Sequence, residues 1–432
     1  MMRFTRLSMS RARKDLVVTV CGGGNGAHCS VGYIGHHADV KVNVLTTKPE
    51  KWSDSIKLTT ATSTWADRGD FIGKINKCSD DAAEVIPESD VVLVAAPAHV
   101  HGPILRKVAG HVKEGAMVGT IFAQGGFDWI ARDALGPEGM AKVKAIFGLQ
   151  NIPWICKTTH YGSESRLLGP KKSLDVVSYP VEAVDDVAST VESLFDIPTS
   201  TIPNFLSVTL TPSNQIIHPA RYAAIFHDYD GERTYTHDEL KARSGLTLYE
   251  DFDALSTEYL ARLDNELQII KEALTAHFPQ LNLSAVLPIK ERIIKGYGKD
   301  VKDTSSLLQV MRTNVGYIGC GTPLTETSDG KFKPNVDSRL YWEDIPYGLC
   351  ILKGLAEMLG DIPTPTINEM IYWHQQQMGK EYLNPDGNLN PLLTMETGAP
   401  SRYGLHALED VVETSIPHSM MNYRSPTLRA VY

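Results

Sequence analysis

The sequence predicts an α/β domain, built on a parallel sheet covered on both faces, followed by a mostly α-helical second domain. Three observations carry this. Short apolar, β-branched runs alternate with amphipathic stretches through the first half. A glycine-rich turn follows the first of those runs directly. After about residue 205 the apolar residues switch to three- and four-residue steps. At 432 residues the chain is long enough for two domains.

The first strand is expected at Leu16–Cys21 (LVVTVC), the second at Val40–Leu45 and the third at Asp90–Ala95. The fourth is expected at Met117–Phe122 and the fifth at Val143–Phe147. Helices are expected between them, over Asp80–Val85 and Pro103–Val112. Residues 171–180 add a further strand and 183–195 a closing helix. In the second half, Leu260, Leu263, Leu267, Ile270 and Leu274 form the stripe of an amphipathic helix. Thr366-x-x-Glu369 reads as a capping box opening a helix that runs through Met378 to Gly379. Pro346 suits the first turn of a helix over Tyr347–Leu359. The resulting division is a tail at 1–14, a first domain at 15–205 and a second at 206–432.

Composition narrows the function. Hydrophobic residues make up 42% and charged residues 22%, an ordinary globular balance. Forty-two Lys+Arg against 51 Asp+Glu leave a net charge of −9, which speaks against nucleic acid or an anionic membrane as partner. No apolar run is long enough to span a bilayer. Six scattered cysteines with no C-x-x-C pair support neither a metal ribbon nor a dithiol centre, and suit a reducing, cytoplasmic compartment. Residues 1–14 are Arg-rich and acid-free, which fits a tail before the first strand or an organellar transit peptide; the tail is the reading adopted. His227-Asp228-Tyr229-Asp230-Gly231 reads as a turn and His36-His37 as a helix end, so no metal site is expected. The oligomeric state is left open.

The first strand runs into Gly22-Gly23-Gly24-Asn25-Gly26-Ala27-His28. This is G-x-G-x-x-A in strand–turn–helix context, the Rossmann dinucleotide fingerprint. Gly22 permits the tight turn, Gly24 lets a pyrophosphate approach the backbone, and Ala27 lets the helix pack on the strand. Asn25 and Gly26 open that helix, whose first N–H groups suit phosphate oxygens. The second strand ends Val44-Leu45-Thr46-Thr47-Lys48, without the acid that holds a ribose in NAD-specific sites. Thr47 and Lys48 suit a 2′-phosphate or stand beside a ribose held by backbone groups, so NAD(H) and NADP(H) both stay open.

The second half carries Asn214-Gln215-Ile216-Ile217-His218-Pro219 and, about 120 residues on, Arg339-Leu340-Tyr341-Trp342-Glu343-Asp344-Ile345-Pro346-Tyr347-Gly348-Leu349. Together with Cys21–His28 these resemble the opine dehydrogenase family. Further matches are Pro97 and His101, Gln124-Gly125-Gly126-Phe127, Ile152-Pro153-Trp154, Gly379-Lys380-Glu381-Tyr382-Leu383 and Arg402-Tyr403-Gly404. The resemblance spans residue 16 to the end. It implies condensation of an amino acid with a 2-oxo acid, usually pyruvate, and reduction of the imine by NADH or NADPH.

That chemistry needs a group that titrates near neutrality, for which histidine is suited. On the residues alone, His218 reads as a structural histidine before Pro219 and Asp344 as an N-cap. The resemblance implies instead a catalytic pair, with Asp344 orienting His218. Arg339 reads as a contact for the cofactor pyrophosphate, with a substrate carboxylate or an ion pair with Glu343 as alternatives. His28 and His101 fall at the cofactor rim by motif, with a structural cap as the alternative for each, and Pro97 is a further expected cofactor contact. Gln124, at the carboxyl end of the fourth strand, suits the keto-acid carboxylate. Gln150 and Asn151 stand where octopine-forming members place an acid for the guanidinium of arginine. Neither is charged, so a small amine is expected: alanine, glycine, β-alanine or taurine. Two other readings compete: a dehydrogenase of a hydroxy acid, for which no catalytic lysine stands out, and a dinucleotide-binding sensor without catalysis.

Overall fold

The computed structural model describes residues 16–61 and 63–417; the N-terminal tail expected at 1–14 lies outside them. The strands are, in chain order, β1 (Leu16–Cys21), β2 (Val40–Leu45), β3 (Ser55–Thr59), β4 (Phe71–Lys74), β5 (Lys77–Ser79), β6 (Val91–Val94), β7 (Met117–Thr120), β8 (Ala145–Leu149), β9 (Trp154–His160), β10 (Glu164–Pro170), β11 (Leu174–Tyr179) and β12 (Thr199–Thr201). Two short strands at Leu324–Glu326 and Phe332–Pro334 form a hairpin in the second half.

The main sheet has the order β12-β11-β8-β7-β6-β1-β2-β5. Its central pairs are all parallel, as the buried, β-branched runs predict. The residue 171–180 strand differs: β11 runs antiparallel to β8. No crossover helix intervenes there; the chain reaches β11 through the β9–β10 hairpin, which lets it return in the opposite sense. Chain order reverses about β1, whose neighbours are β2 on one side and β6 on the other. Ligands of such sheets bind outside the carboxyl ends at that switch point.

A second sheet, order β4-β3-β10-β9, goes beyond the predicted strands. It covers the outer face of the Asn25–Ile34 helix, with Ile56 and Leu58 fully buried beside Val31 and Tyr33. Residues from 206 onward build a separate, helical core around the stripe Leu260, Leu263, Leu267, Ile270 and Leu274, all fully buried on the Ala254–His277 helix. The two cores interlock: Trp129 belongs to the helical one, and Tyr347 packs into the core beneath the sheet.

Two predicted helix starts are corrected by long-range contacts. The third-strand crossover helix begins at Ala98, so Pro103 lies inside it. The Ala98 N–H is taken at 3.0 Å by Glu343 from the second half, a cap no local pattern shows. The Thr366–Glu369 capping box is absent, and the helix spans Pro365–Met378. Buried Glu266 instead accepts from the N–H groups of Thr366 and Ile367, at 2.7 and 2.9 Å. Glu369 is exposed and pairs with Arg262 at 3.4 Å. Gly379 does end the helix, in the left-handed conformation.

Glu266→Ala strands two buried donors, so it is expected to cost about 1–3 kcal/mol in denaturant unfolding. Glu369→Ala is expected to stay within about 0.5 kcal/mol. Equal costs for the two would mean that the helix is capped locally after all.

Candidate active site

The glycine loop lies at the carboxyl end of β1. Gly22 has φ +145°, and a Cβ there would sit 2.5 Å from the Ala95 carbonyl oxygen, so only glycine passes this turn. A Cβ on Gly24, by contrast, meets no atom within 4 Å. Gly24 is the N-cap of the Asn25–Ile34 helix and no side chain caps it. Bare backbone, open space and unpaired first-turn N–H groups fit a dinucleotide pyrophosphate. Ala27 is fully buried against the strand, in its expected packing role.

Two motif residues serve the loop structurally. Asn25 turns its side chain to the second sheet, accepting from Thr158 N–H at 2.9 Å. His28 accepts from Gly162 N–H at Nε2 (2.7 Å), which leaves the proton on Nδ1 for the Gly24 carbonyl (2.9 Å). Burial pushes its pKa down, which suits that neutral form. Thr47 and Lys48 are exposed just beyond β2, and Pro97 caps the helix after β6. His101, also buried, pins the Ala96 carbonyl through Nε2, with its pKa pushed down to about 4 by burial.

Gln124 and Gln150 follow β7 and β8 at the same edge of the sheet. Gln124 donates to the Gln150 carbonyl (3.0 Å) and accepts from Ser213 N–H (3.2 Å). Ser213 precedes the Asn214–Ile225 helix, so Gln124 ties the start of that helix to the sheet. Gln150 donates to Thr211 Oγ1 at 2.8 Å, and Asn151 is exposed.

His218 lies on the Asn214–Ile225 helix. Asp344 comes from a segment where the short helix Arg339–Trp342 passes into a π-turn at Ile345–Leu349. Gly348 makes their meeting possible: a Cβ on it would lie 2.3 Å from Gln215 Cβ. His218 Nδ1 donates to Asp344 Oδ2 at 2.8 Å, with the residues 4% and 3% exposed. Asp344 makes no N-cap bond, so the pairing with His218 is its observed contact. The other ring nitrogen, Nε2, is 2.7 Å from Tyr249 Oη. Nothing local in the sequence marks Tyr249, which stands 31 residues from His218.

Glu343 is 2% exposed and spans the two halves, accepting from Ala98 N–H and facing Arg339 Nη1 at 3.4 Å. Burial, and then the neighbouring Asp344 charge, push its carboxyl pKa upward against the pull of Arg339. Arg339 keeps about half of its side chain, 51%, in solvent. The Arg402 match also has a structural place: its guanidinium donates to Tyr347 Oη and to the Thr397 carbonyl, bracing the π-turn.

Away from this site, His36, His37 and Asp196 form the one group of three possible metal ligands among the described residues. Tyr33 donates to Asp196 at 2.9 Å, tying together the ends of two helices. In the His227–Gly231 stretch, Asp230 closes a turn on Arg233 N–H and Asp228 pairs with Arg233 and Arg243.

A Rossmann-type sheet with an open glycine loop, joined to a helical half that carries a buried histidine–carboxylate pair, defines a two-domain nicotinamide-dependent oxidoreductase. The comparisons specify it. The family model for the α-helical domain of NAD/NADP octopine/nopaline dehydrogenases matches residues 201–378. The chain is 30% identical over 419 residues to an opine dehydrogenase of Haliotis discus hannai, covering 92% of this chain and 99% of the relative. It is 28% identical to a tauropine dehydrogenase of Arabella iricolor, covering 92% and 100%. Among solved structures it is similar to octopine dehydrogenase with NADH and L-arginine, with TM-score 0.80, 26% identity, and 95% and 100% of the two chains covered. The chain belongs to the opine dehydrogenase family.

A Cβ at Gly24 meets no protein atom, so Gly24→Val is expected to fold and to lose NAD(P)H binding by fluorescence titration. Gly22→Ala is expected to lower Tm through strain. A folded Gly24→Val protein that binds cofactor normally would remove the loop from the cofactor site.

Proposed function

We propose that the chain condenses a small amino acid with pyruvate or another 2-oxo acid and reduces the product to an opine, acting on a CH–NH bond in reverse. The reading rests above all on the His218–Asp344 pair, carried by the helix whose start Gln124 ties to the carboxyl edge of the sheet. The bound nicotinamide supplies or takes the hydride. The glycine loop from Gly22 to Ala27, with Pro97, Thr47 and Lys48 at its rim, holds the dinucleotide. Arg339 reaches its pyrophosphate from the helical half, exchanging part of its contact with Glu343.

The protein's own residues handle protons and orientation. The amine must lose a proton to attack the keto carbon, the carbinolamine must lose water, and the imine nitrogen must be protonated to accept hydride. His218 serves these steps in turn at Nε2, while Asp344 keeps the other proton on Nδ1 and stabilises the imidazolium. The Gln124 amide holds the keto-acid carboxylate with the second N–H that its bond to the Gln150 carbonyl leaves. Gln150 and Asn151 hydrogen-bond the acid group of the amine but cannot neutralise a guanidinium. No helix among the described residues is long and apolar enough to cross a membrane. A cytoplasmic location fits the cysteine usage.

Purified protein is assayed with pyruvate, NADH or NADPH, and alanine, glycine, β-alanine, taurine or arginine. Oxidation of the dinucleotide is expected only when amine and pyruvate are both present, with a small amine best by kcat/KM. Arginine ahead of all four by about tenfold, roughly 1.4 kcal/mol, would contradict the argument from the uncharged Gln150. Oxidation by pyruvate alone would indicate a hydroxy-acid dehydrogenase, and intact cofactor binding without turnover a sensor. In the same assay Arg339→Ala is expected to raise the cofactor KM; a rise for pyruvate alone would place Arg339 on the keto acid.

A further inference from the structure

The catalytic pair leaves one contact of His218 unexplained. Its Nε2, the atom with which it would serve substrate, is 2.7 Å from the hydroxyl of Tyr249. With Nδ1–H donated to Asp344, Nε2 of the neutral ring is an acceptor, so the phenol is the donor. Burial holds the Tyr249 pKa far above its usual range, so this donor persists at working pH.

The phenol is aimed by the same helix that carries His218. Arg221, one turn on and fully buried, donates to the carbonyls of Ser244, Thr247 and Asp251 and to the side chains of Asp253 and Ser256. The three carbonyl contacts clamp the loop in which Tyr249 lies, and the other two reach the start of the Ala254–His277 helix that follows it. The ring is stacked on Tyr317 at 4.3 Å, and Tyr317 meets Tyr297 edge-on. The neighbouring Leu248 N–H is held by the Cys320 carbonyl at 2.8 Å. Loop, ring and hydroxyl are each fixed separately, and the outcome is a phenol on the reactive nitrogen.

We propose that Tyr249 is a positioning residue of the opine reaction, which donates to the lone pair of His218 Nε2 and holds the ring oriented until substrate displaces the phenol from that nitrogen. The proposal rests on His218 being the acid–base group. Its sign is fixed by chemistry: a bond to a lone pair that exists only in the neutral ring favours the neutral ring. Asp344 favours the imidazolium, so the two partners oppose each other. The other titratable groups facing the pair are Glu343 and Arg339 beside Asp344, Tyr222 on the His218 helix, and Tyr297, Tyr317 and Cys320 around the phenol. All of them remain in Tyr249→Phe, which removes one oxygen.

In Tyr249→Phe, His218 is expected to take its proton at a pH higher by about half to one unit, the worth of one net hydrogen bond. Two readouts report it: nitrogen-15 titration of the His218 ring, assigned with His218→Asn, and the acid limb of kcat/KM for opine oxidation. Tyr317→Phe, which keeps the stack, is expected to leave both unmoved. A folded Tyr249→Phe protein with neither readout moved overturns the proposal. If that variant does not fold, the wild-type ring decides: an Nε2 shift typical of an accepted hydrogen bond supports the proposal, and that of a free nitrogen overturns it. Asp344→Ala separates the two readings. Its loss of turnover beside an unmoved Tyr249→Phe overturns the tyrosine's role alone, whereas its full turnover overturns the catalytic pair.

Discussion

An imidazole and a carboxylate 126 residues apart are held at 2.8 Å with almost no solvent around them, and much of the second half is arranged to permit it. The contact depends on a backbone approach that only glycine allows, at Gly348 against Gln215. It depends equally on the π-turn at Ile345–Leu349, an irregularity of the kind common at functional sites. A buried pair of this sort is a poor source of stability, because desolvation offsets much of the attraction.

The same pair sits where the two halves join. Gln124 fixes the start of the His218 helix to the sheet, Gln150 reaches Thr211, and Glu343 caps the crossover helix at Ala98. All three contacts lie beyond the carboxyl ends of parallel strands, where the glycine loop also opens. The glycine loop, the Gln124 amide and the helix that carries His218 are thus tied to one edge of the sheet, in part by bonds that cross between the halves. Glu343 illustrates the cost: its carboxyl is buried beside another acid, and only Arg339 and the helix N-terminus compensate.

What was legible in the sequence was local. The apolar runs at Leu16–Cys21, Val40–Leu45 and Met117–Thr120 and the stripe from Leu260 to Leu274 each announce their own element. The glycine loop is legible for the same reason. His218 and Asp344 were legible only through their resemblance to family segments; alone, each had an ordinary structural reading. The second sheet was missed because its strands mix Lys, Thr, Gly and Ser and pair β3 with β10, more than a hundred residues away. The caps supplied by Glu266 and Glu343, and the phenol of Tyr249, were hidden for that reason too: each acts on a partner fixed by tertiary structure, not by spacing.

The central claim is that His218 carries the proton transfers while the dinucleotide is held elsewhere, on the glycine loop. The most direct test is His218→Ala, compared with wild type in NAD(P)H titration and in amine-dependent turnover with pyruvate. The account predicts cofactor binding within about twofold of wild type and turnover reduced on the order of 10²–10⁴, the usual worth of general acid–base catalysis. Near-normal turnover in a protein that binds cofactor would contradict it.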